Sequence, residues 1–428
     1  MRVTINKLKI IALIILSGCI LLISSNNQIW VHIIGLGVLA FGACVIVKFD
    51  IFHPYFWYSV FFWLYSAGYP ILYSFGYYRS YDYNKTGIVL DWVYLSVLLV
   101  ILPAESLVKK DTLFVNDKRA SVITDFFSYF FALYLCVDML LICQGGYSNK
   151  TEIYKHANTF IIFGFVIGYI LILFFEFSLY VTLFNEEKIK AIHIISWITI
   201  SGFSILTGER DYLFTILLVT VLIMFLYERI SKKTLFILIP IGMILLPLSN
   251  TFKYYLLSGK EGTSFRLNHL LMEFLDGEFV SAGRNLQILI MNHCANYFKG
   301  KTLVYDIVRI FSGNTFSVQA WFNDTFFSYS HSTKYGFTIV GEGYVNWGIW
   351  GVIIWAIIVG ILIRVLYVQS CKNYYYMLIY LYMLPLFIYA IRADLANIFS
   401  PLVKYAFLGT LIVYIFQRTY ISRIFIDE

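Results

Sequence analysis

The sequence predicts an all-α polytopic membrane protein, and two observations lead to that prediction: the composition and the long, continuous apolar runs. Of the 428 residues, 60% are hydrophobic and 13% are charged, whereas a soluble domain carries about 25% charged residues. A water-soluble chain could not bury so much apolar surface. The strands of a membrane β-barrel would alternate apolar and polar residues, and these runs do not. The composition therefore excludes a soluble globular enzyme and a disordered chain, and it favours membrane-spanning helices.

Twelve apolar runs are candidate spans, because a helix needs about 20 predominantly apolar residues to cross the hydrocarbon core. They lie at residues 8–23, 29–47, 52–73, 88–108, 122–143, 159–184, 191–207, 212–227, 234–252, 338–367, 374–391 and 398–416. We therefore expect about twelve transmembrane helices: nine in residues 1–252, a long outer segment in 253–337, and three in 338–428. The first run lacks a small-residue cleavage site after it, so we interpret it as a retained helix rather than a signal peptide.

The positions of lysine and arginine predict the orientation in the membrane. If the N-terminus is cytoplasmic and the runs alternate, most basic residues outside 253–337 fall on the cytoplasmic side. That asymmetry is what the positive-inside rule requires. Both termini are then cytoplasmic, and residues 253–337 are outside. The net charge of +7 is explained by topology and gives no reason to expect a nucleic-acid partner.

Two stripes of apolar residues at helical spacing predict amphipathic helices within the outer segment. The first stripe contains Leu267, Leu270, Leu271, Phe274 and Leu275, and the second contains Leu303, Val304, Ile307, Val308 and Phe311. We expect the first helix to lie on the membrane surface or to cap the helical bundle.

Several arginines are predicted at the outer boundary of the membrane. Arg210 lies in the short turn Thr207–Asp211, Arg284 begins an apolar helical stretch, and Arg392 precedes the last apolar run. Arg309 is a further outer arginine. Arginines that converge on one cavity would bind a diphosphate, because guanidinium pairs with phosphate oxygens in a fixed geometry. The alternative for each one is a snorkelling anchor or a partner for lipid phosphate.

Glu342 and His331 are the candidate proton-transfer residues. Glu342 lies between two glycines in Gly341–Gly348, and those glycines allow backbone or ligand to approach closely. The alternative is a carboxylate at a helix start, favoured there by the helix dipole. His331 could take a proton from a hydroxyl at neutral pH, or it could be an ordinary surface histidine. The P-loop, HExxH and GxSxG motifs do not occur, so an ATP-driven pump, a zinc protease and an α/β-hydrolase are unsupported.

The layout of spans and three short motifs resemble the Wzy-type polymerases, the oligosaccharide repeat-unit polymerases of O-antigen and capsule assembly. The motifs are the TGxR turn at Thr207–Arg210, the stretch Glu278–Gln287, and the glycine-rich segment Gly341–Gly351. The resemblance implies a membrane glycosyltransferase of the bacterial inner membrane. It would polymerise repeat units carried on undecaprenyl diphosphate at the outer face, with undecaprenyl diphosphate as leaving group. It implies no cofactor and no metal. Lipid-linked oligosaccharides and membrane lipid are the expected partners, and a chain-length regulator is a further candidate.

The resemblance also assigns roles to residues. Arg210 and Arg284 would handle the diphosphate, and Glu342 or His331 would activate the acceptor hydroxyl. The candidates for substrate binding are Arg392, Arg309, Glu209 and Asn346. An O-antigen ligase, with the same chemistry and a different acceptor, is one alternative. A lipid-linked oligosaccharide flippase or other transporter is a second, and the long outer segment argues against it. A membrane protein without catalysis is a third.

Overall fold

The computed structural model describes residues 2–78, 82–107, 118–147, 150–231, 233–235, 237, 275–312, 316–328 and 336–424. The regular elements within these ranges are helices, which confirms the predicted all-α class. They are α1 (Arg2–Ile23), α2 (Ile29–Ile46), α3 (Pro54–Ser74), α4 (Lys85–Ile101), α5 (Lys118–Gly145), α6 (Lys150–His156), α7 (Thr159–Phe184), α8 (Ala191–Thr207), α9 (Arg210–Leu226), a π-helical turn (Leu275–Phe279), α10 (Val280–Met291), α11 (Lys301–Val308), α12 (Val318–Phe326), α13 (Ile339–Ser370), α14 (Tyr374–Ala390), α15 (Ala396–Pro401), a π-helical segment (Leu402–Phe407) and α16 (Leu408–Ile424).

Local sequence signals explain where several helices begin and end. The His53 side chain accepts a hydrogen bond from the N–H of Tyr55 at the start of α3, where proline occupies the first helical position. Asn84 and Asn158 cap α4 and α7 in the same way. Gly208 adopts a left-handed conformation (φ 74°) and ends α8.

Within the described ranges, six helices are long and apolar enough to cross a membrane. They are Ile5–Ile23, Ile29–Ile46, Ser121–Gly145, Thr159–Phe184, Ile339–Ser370 and Ala396–Phe416. Shorter apolar helices occur at Ala191–Thr207, Asp211–Leu226 and Tyr374–Ala390. These elements confirm a polytopic membrane protein. The number of twelve spans, the outer location of residues 253–337 and the division at residues 252 and 337 stay predictions.

The chain divides into two compact units, each built from separated stretches of sequence. Unit 1 contains Met1–Val108, Arg266–Gln369 and Phe387–Ser400, and unit 2 contains Lys109–Phe265, Ser370–Leu386 and Pro401–Glu428. The first predicted amphipathic stripe, up to Phe274, and most of the ninth apolar run lie outside the described residues.

In unit 1, α1 to α4 pack against one another, and α10 packs on α3 and α4. Two glycines allow α10 and the turn before it to approach α3 closely. A methyl group added to Gly68 would lie 2.5 Å from the carbonyl oxygen of Phe279, and one added to Gly283 would lie 3.1 Å from that of Ser66. The side chain of Gln287 then fixes α10 to the start of α4: it donates to the Asn84 carbonyl at 2.8 Å and accepts from the Asn84 N–H at 3.1 Å.

In unit 2, α5 packs against α7 and α8, and α7 packs against α9. Tyrosines join these elements in the interior. The ring of Tyr169 on α7 lies 4.5 Å from that of Tyr212 on α9 and 4.7 Å from that of Tyr405 in the π-helical segment. The hydroxyl of Tyr212 donates to the Phe165 carbonyl at 2.7 Å, so its polar end is satisfied inside the apolar bundle.

Candidate functional site

The glycine-rich segment Gly341–Gly351 forms the first part of α13 and contains a sharp break. Trp347 (φ −140°, ψ 33°) and Gly348 (φ 56°, ψ −135°) leave the helical region, so the helix bends there. Glycine adopts the positive φ of this position without steric cost. The bend brings the chain back on itself, because a methyl group added to Gly343 would lie 2.8 Å from the backbone of Gly351. Glycines are therefore required both at the break and where the two backbones meet.

Glu342 lies in the first turn of α13 and is completely buried. Its Oε1 accepts a hydrogen bond from the Thr302 hydroxyl at 2.9 Å, and its Oε2 accepts one from the backbone N–H of Leu395 at 2.9 Å. These partners are 40 and 53 residues away along the chain. One carboxylate therefore joins the start of α11, the start of α13 and the turn before α15.

Asn346, one turn after Glu342, is also completely buried and forms three hydrogen bonds. Its Oδ1 accepts from the N–H of Gly300 at 2.9 Å. Its Nδ2 donates to the Thr302 hydroxyl oxygen at 2.7 Å and to the carbonyl of Glu342 at 2.8 Å. Thr302 thus accepts from Asn346 and donates to Glu342, so each group uses its proper hydrogen-bonding capacity.

Two more buried carboxylates and one arginine complete this cluster. Arg309 Nη1 lies 2.9 Å from Oδ2 of Asp394 and 3.9 Å from Oδ1 of Asp306. Burial raises the pKa of the Asp306 carboxyl, and the neighbouring carboxylates of Glu342 and Asp394 raise it further, whereas Arg309 lowers it. Like charges confined in an apolar site cannot all ionise. Burial and the neighbouring carboxylates therefore favour the protonated form of Asp306. We refer to Thr302, Asp306, Arg309, Glu342, Asn346 and Asp394 as the acidic cluster.

The second predicted apolar stripe faces outward. On α11 and just after it, Val304, Ile307 and Phe311 are 60%, 47% and 84% exposed. Thr302 and Asp306, one turn apart on the opposite face, are 0% and 1% exposed. The helix is amphipathic, as predicted, but its polar face packs inward. Sequence reasoning missed Thr302 and Asp306 for that reason, and the i, i+4 spacing of two polar residues opposite an apolar stripe was the signal that could have found them.

Arg284 lies in a different set of contacts in unit 1. It is 6% exposed, and its guanidinium carbon lies 5.9 Å from the ring centre of Tyr78 and 5.3 Å from that of Phe327. Its Nε and Nη2 donate to Oδ1 of Asn285 at 3.2 and 3.1 Å. The hydroxyl of Tyr78 in turn donates to the carboxylate of Asp276. The guanidinium is thus held between aromatic faces, where a cation is favoured.

Arg392 lies in the turn after α14, as the sequence predicts. Its carbonyl accepts from the N–H of Phe337 at 2.9 Å, and its guanidinium carbon lies 5.0 Å from the ring centre of Tyr389. The backbone of this turn therefore fixes the segment that leads into α13. The side chain itself is half-buried on an aromatic ring.

The turn Thr207–Asp211 belongs to unit 2 and has the predicted form, since α8 ends at Thr207 and α9 begins at Arg210. Glu209 is buried, and its carbonyl accepts from the hydroxyl of Ser204 at 2.6 Å. The side chain of Arg210 is outside the described part of the structure, and so is His331 as a whole.

The predicted site residues therefore fall into several groups. Glu342, Asn346 and Arg309 meet in the acidic cluster of unit 1. Arg284 and Arg392 belong to unit 1 through other contacts, and Glu209 and Arg210 belong to unit 2. Within the described residues, no group of three or more His, Cys, Asp or Glu side chains has a geometry that could hold a metal ion.

Comparison with protein families gave one match. The family model described as O-antigen polysaccharide polymerase Wzy matches residues 7–423, nearly the whole chain. No significant match was found among curated proteins or among solved structures.

Proposed function

The chain belongs to the O-antigen polysaccharide polymerase Wzy family, and from that premise we propose the reaction, the sidedness and the residues of its polymerase activity. Membership makes it an O-antigen repeat-unit polymerase and a multi-pass inner-membrane protein that acts on lipid-linked oligosaccharide repeat units. The ligase and the flippase are not favoured. The match over nearly the whole chain is the observation that carries this conclusion.

The reaction that we propose is a glycosyl transfer at the outer face of the membrane. The growing chain leaves its undecaprenyl diphosphate and is joined to a hydroxyl of a new lipid-linked unit. Negative charge grows on the diphosphate as its bond to the anomeric carbon breaks. Fixed cations beside it would stabilise the transition state more than the ground state, which is the requirement for catalysis.

Arg284 and Arg210 are the residues to which we assign that charge stabilisation, with Arg392 as a third. The support for Arg284 is its fixed position: Asn285 and two aromatic rings hold the guanidinium in one orientation. Its small exposed fraction means that a diphosphate would contact it along one edge. Removal of such a preorganised donor raises the barrier by about 2–4 kcal/mol in comparable sites.

For Glu342, Asn346 and Arg309 the contacts favour a positioning role over direct contact with substrate. The Glu342 carboxylate is completely buried and already accepts two hydrogen bonds, so an acceptor hydroxyl could not reach it without loss of those bonds. We therefore assign these three residues to holding α11, α13 and the turn before α15 together. His331 and Glu209 keep their predicted roles in acceptor activation and substrate binding as proposals.

The topology that we propose places both termini in the cytoplasm and residues 253–337 outside. Its support is the distribution of lysine and arginine along the sequence. The outward apolar face of α11 is consistent with a helix at the lipid surface. A chain-length regulator is the protein partner that we would seek at this face.

The test is deletion of the gene in its host, with surface polysaccharide resolved on a gel after complementation. The variants are wild type, Arg284→Ala, Arg210→Ala and, as a matched control, Arg229→Ala, which alters an exposed arginine in unit 2. Deletion should leave a single repeat unit in place of the ladder, and only wild type and the control should restore it. Loss of all polysaccharide with accumulation of lipid-linked polymer would indicate a ligase. An unchanged ladder would exclude both enzymes.

A further inference from the structure

Asp276 lies beside Arg284 in a position that the assigned roles leave unused. It belongs to the π-helical turn Leu275–Phe279 that leads into α10, and its side chain is exposed. The hydroxyl of Tyr78 donates a hydrogen bond to its carboxylate. The same Tyr78 ring lies 5.9 Å from the guanidinium carbon of Arg284. One tyrosine therefore contacts both the carboxylate and the cation.

The turn that carries Asp276 is held firmly against α3. The ring of Phe279 lies 4.8 Å from that of Tyr65, and the carbonyl of Phe279 lies where a methyl group on Gly68 would stand. Leu275, at the other end of the turn, is 4% exposed. The carboxylate is thus accessible while its backbone is fixed, which is the arrangement that proton transfer at a defined position needs.

Tyr78 itself has an unusual backbone conformation. Its φ of 54° lies in the left-handed region, which costs a residue other than glycine about 1–3 kcal/mol. That conformation is the one in which its ring covers Arg284 and its hydroxyl reaches Asp276. Strained residues of this kind cluster at functional sites.

A cavity between the start of α2 and the end of α3 has room for a sugar. The cavity has a volume of about 340 Å³ and is lined by residues that include Trp30 and Tyr73. The ring of Tyr73 lies 5.9 Å from that of Tyr69, which lies 6.5 Å from that of Tyr78. A row of tyrosines therefore leads from the cavity wall to the partner of Asp276. Cavities lined by aromatic rings with a few polar groups are the usual form of a ligand site.

We propose that Asp276 is the general base of the polymerase and removes the proton from the acceptor hydroxyl. The proposal rests on the proposed function, because it takes Arg284 as the residue beside the diphosphate. It assigns to Asp276 the activation of the acceptor that the sequence suggested for Glu342 or His331, and it replaces His331 in that role.

The step balances without a further reactant. The acceptor oxygen forms a bond to the anomeric carbon of the donor while its proton moves to the Asp276 carboxylate. The bond between the anomeric carbon and the diphosphate oxygen breaks, and its electron pair leaves on the diphosphate beside Arg284. Asp276 then releases its proton to water. Partial burial raises the pKa of Asp276, and Arg284 lowers it. Because the net change is a rise, its carboxylate is a stronger base than an exposed one.

The experiment measures polymerisation by the purified full chain in detergent, with lipid-linked repeat units extracted from a strain that lacks this gene. The rates of wild type, Asp276→Asn, Asp276→Glu and Tyr78→Phe are followed from acid to alkaline pH. Asp324→Asn is the matched control, since it neutralises another exposed carboxylate of unit 1. Thermal unfolding in the same detergent establishes that each variant is folded.

We expect Asp276→Asn to lower kcat by about 100-fold or more with little change in KM, since general bases contribute about 10²–10⁴-fold. Its residual rate should lack the decline at acid pH that we expect for wild type. Tyr78→Phe removes a hydrogen bond that stabilises the ionised carboxylate, so its decline in rate should begin at a higher pH than that of wild type. Asp324→Asn should match wild type.

Three results would overturn the proposal. A normal rate for Asp276→Asn would exclude a base at this position. A reduced rate with the wild-type decline at acid pH would make Asp276 a positioning residue. If Asp276→Asn does not fold, the pH profiles of Asp276→Glu and Tyr78→Phe decide. If both match the wild-type profile, Asp276 is not the general base. Absence of polymer with the wild-type protein would count against the proposed function instead.

Discussion

The carbonyl of Gly343 lies directly against the α-carbon of Gly351, where any side chain would stand. The contact exists because α13 breaks at Trp347 and Gly348 and the chain continues in a new direction. Glu342 and Asn346 lie in the segment before this break and contact Thr302 at the start of α11, so the contact between the two glycines lies beside the acidic cluster in the sequence.

Gly351→Ala should therefore destabilise the protein, because the added methyl group meets backbone that cannot move aside. We expect a loss of about 3 kcal/mol, at the upper end for overpacked interiors. Thermal unfolding in detergent measures it. Gly202→Ala is the matched control, since its methyl group would meet the flexible end of the Met139 side chain at 3.3 Å. Equal melting temperatures for the two variants would show that the contact is not tight.

Asp306→Asn should change the dependence of stability on pH. The pKa of Asp306 is raised in the folded protein, so folding favours the protonated form. The corresponding stabilisation is present below about pH 4, the ordinary pKa of the carboxyl, and is lost as the pH rises towards the folded value. Asparagine cannot ionise. The variant should therefore gain stability relative to wild type between pH 5 and pH 9, as measured by thermal unfolding. If the difference in stability between the variant and wild type is the same at pH 5 and pH 9, the pKa of Asp306 is not raised in the folded protein.

The contact between Arg309 and Asp394 should contribute measurably to stability, because Asp394 is completely buried. A double-mutant cycle with Arg309→Met and Asp394→Asn should give a coupling of about 1.5–3 kcal/mol, the range for hydrogen bonds to charged groups. The pair Lys190 and Asp125 in unit 2 has a similar distance of 2.8 Å, but its side chains are 30% and 14% exposed. Its cycle should give about 0.5–1 kcal/mol. A larger coupling energy for Lys190 and Asp125 than for Arg309 and Asp394 would show that burial does not strengthen the contact.

Gln287→Glu should weaken the attachment of α10 to α4. A carboxylate can accept from the Asn84 N–H, but it cannot donate to the Asn84 carbonyl, which then faces a negative charge. We expect a loss of about 1–3 kcal/mol, the cost of an unsatisfied buried polar group. Gln144→Glu, at an exposed position of α5, is the control and should unfold at the wild-type temperature. An equal loss of stability in Gln287→Glu and Gln144→Glu would show that the added negative charge, and not the lost hydrogen bond to Asn84, causes the effect.

Much of the helical framework could be predicted because its signals are local. The bounds of α7 and α8 coincide with the predicted runs 159–184 and 191–207, since an asparagine cap and a left-handed glycine mark their ends. The break in α13 could not be predicted from hydropathy, because it lies inside one predicted apolar run and hydropathy does not report the φ and ψ angles of Trp347 and Gly348.

The arrangement of the candidate site was harder to predict, because its contacts join distant parts of the chain. Glu342 was recognised between its glycines, but Thr302, Asp306 and Leu395 were not identified as its neighbours. No local pattern specifies a pairing across 40 or 53 residues. The direction of the polar face of α11 depends on what surrounds the helix, and the spacing of its residues leaves that direction open.

The acidic cluster also constrains the order in which the protein is assembled during synthesis. Thr302 precedes Glu342 by 40 residues, and Arg309 precedes Asp394 by 85. The ribosome therefore delivers α11 to the translocation machinery well before the carboxylates that complete its polar face. Until α13 and the turn before α15 have been inserted, α11 cannot bury Thr302 and Asp306 against their native partners. Maturation of this part of the molecule is a late event, completed only when the turn at Asp394 has emerged.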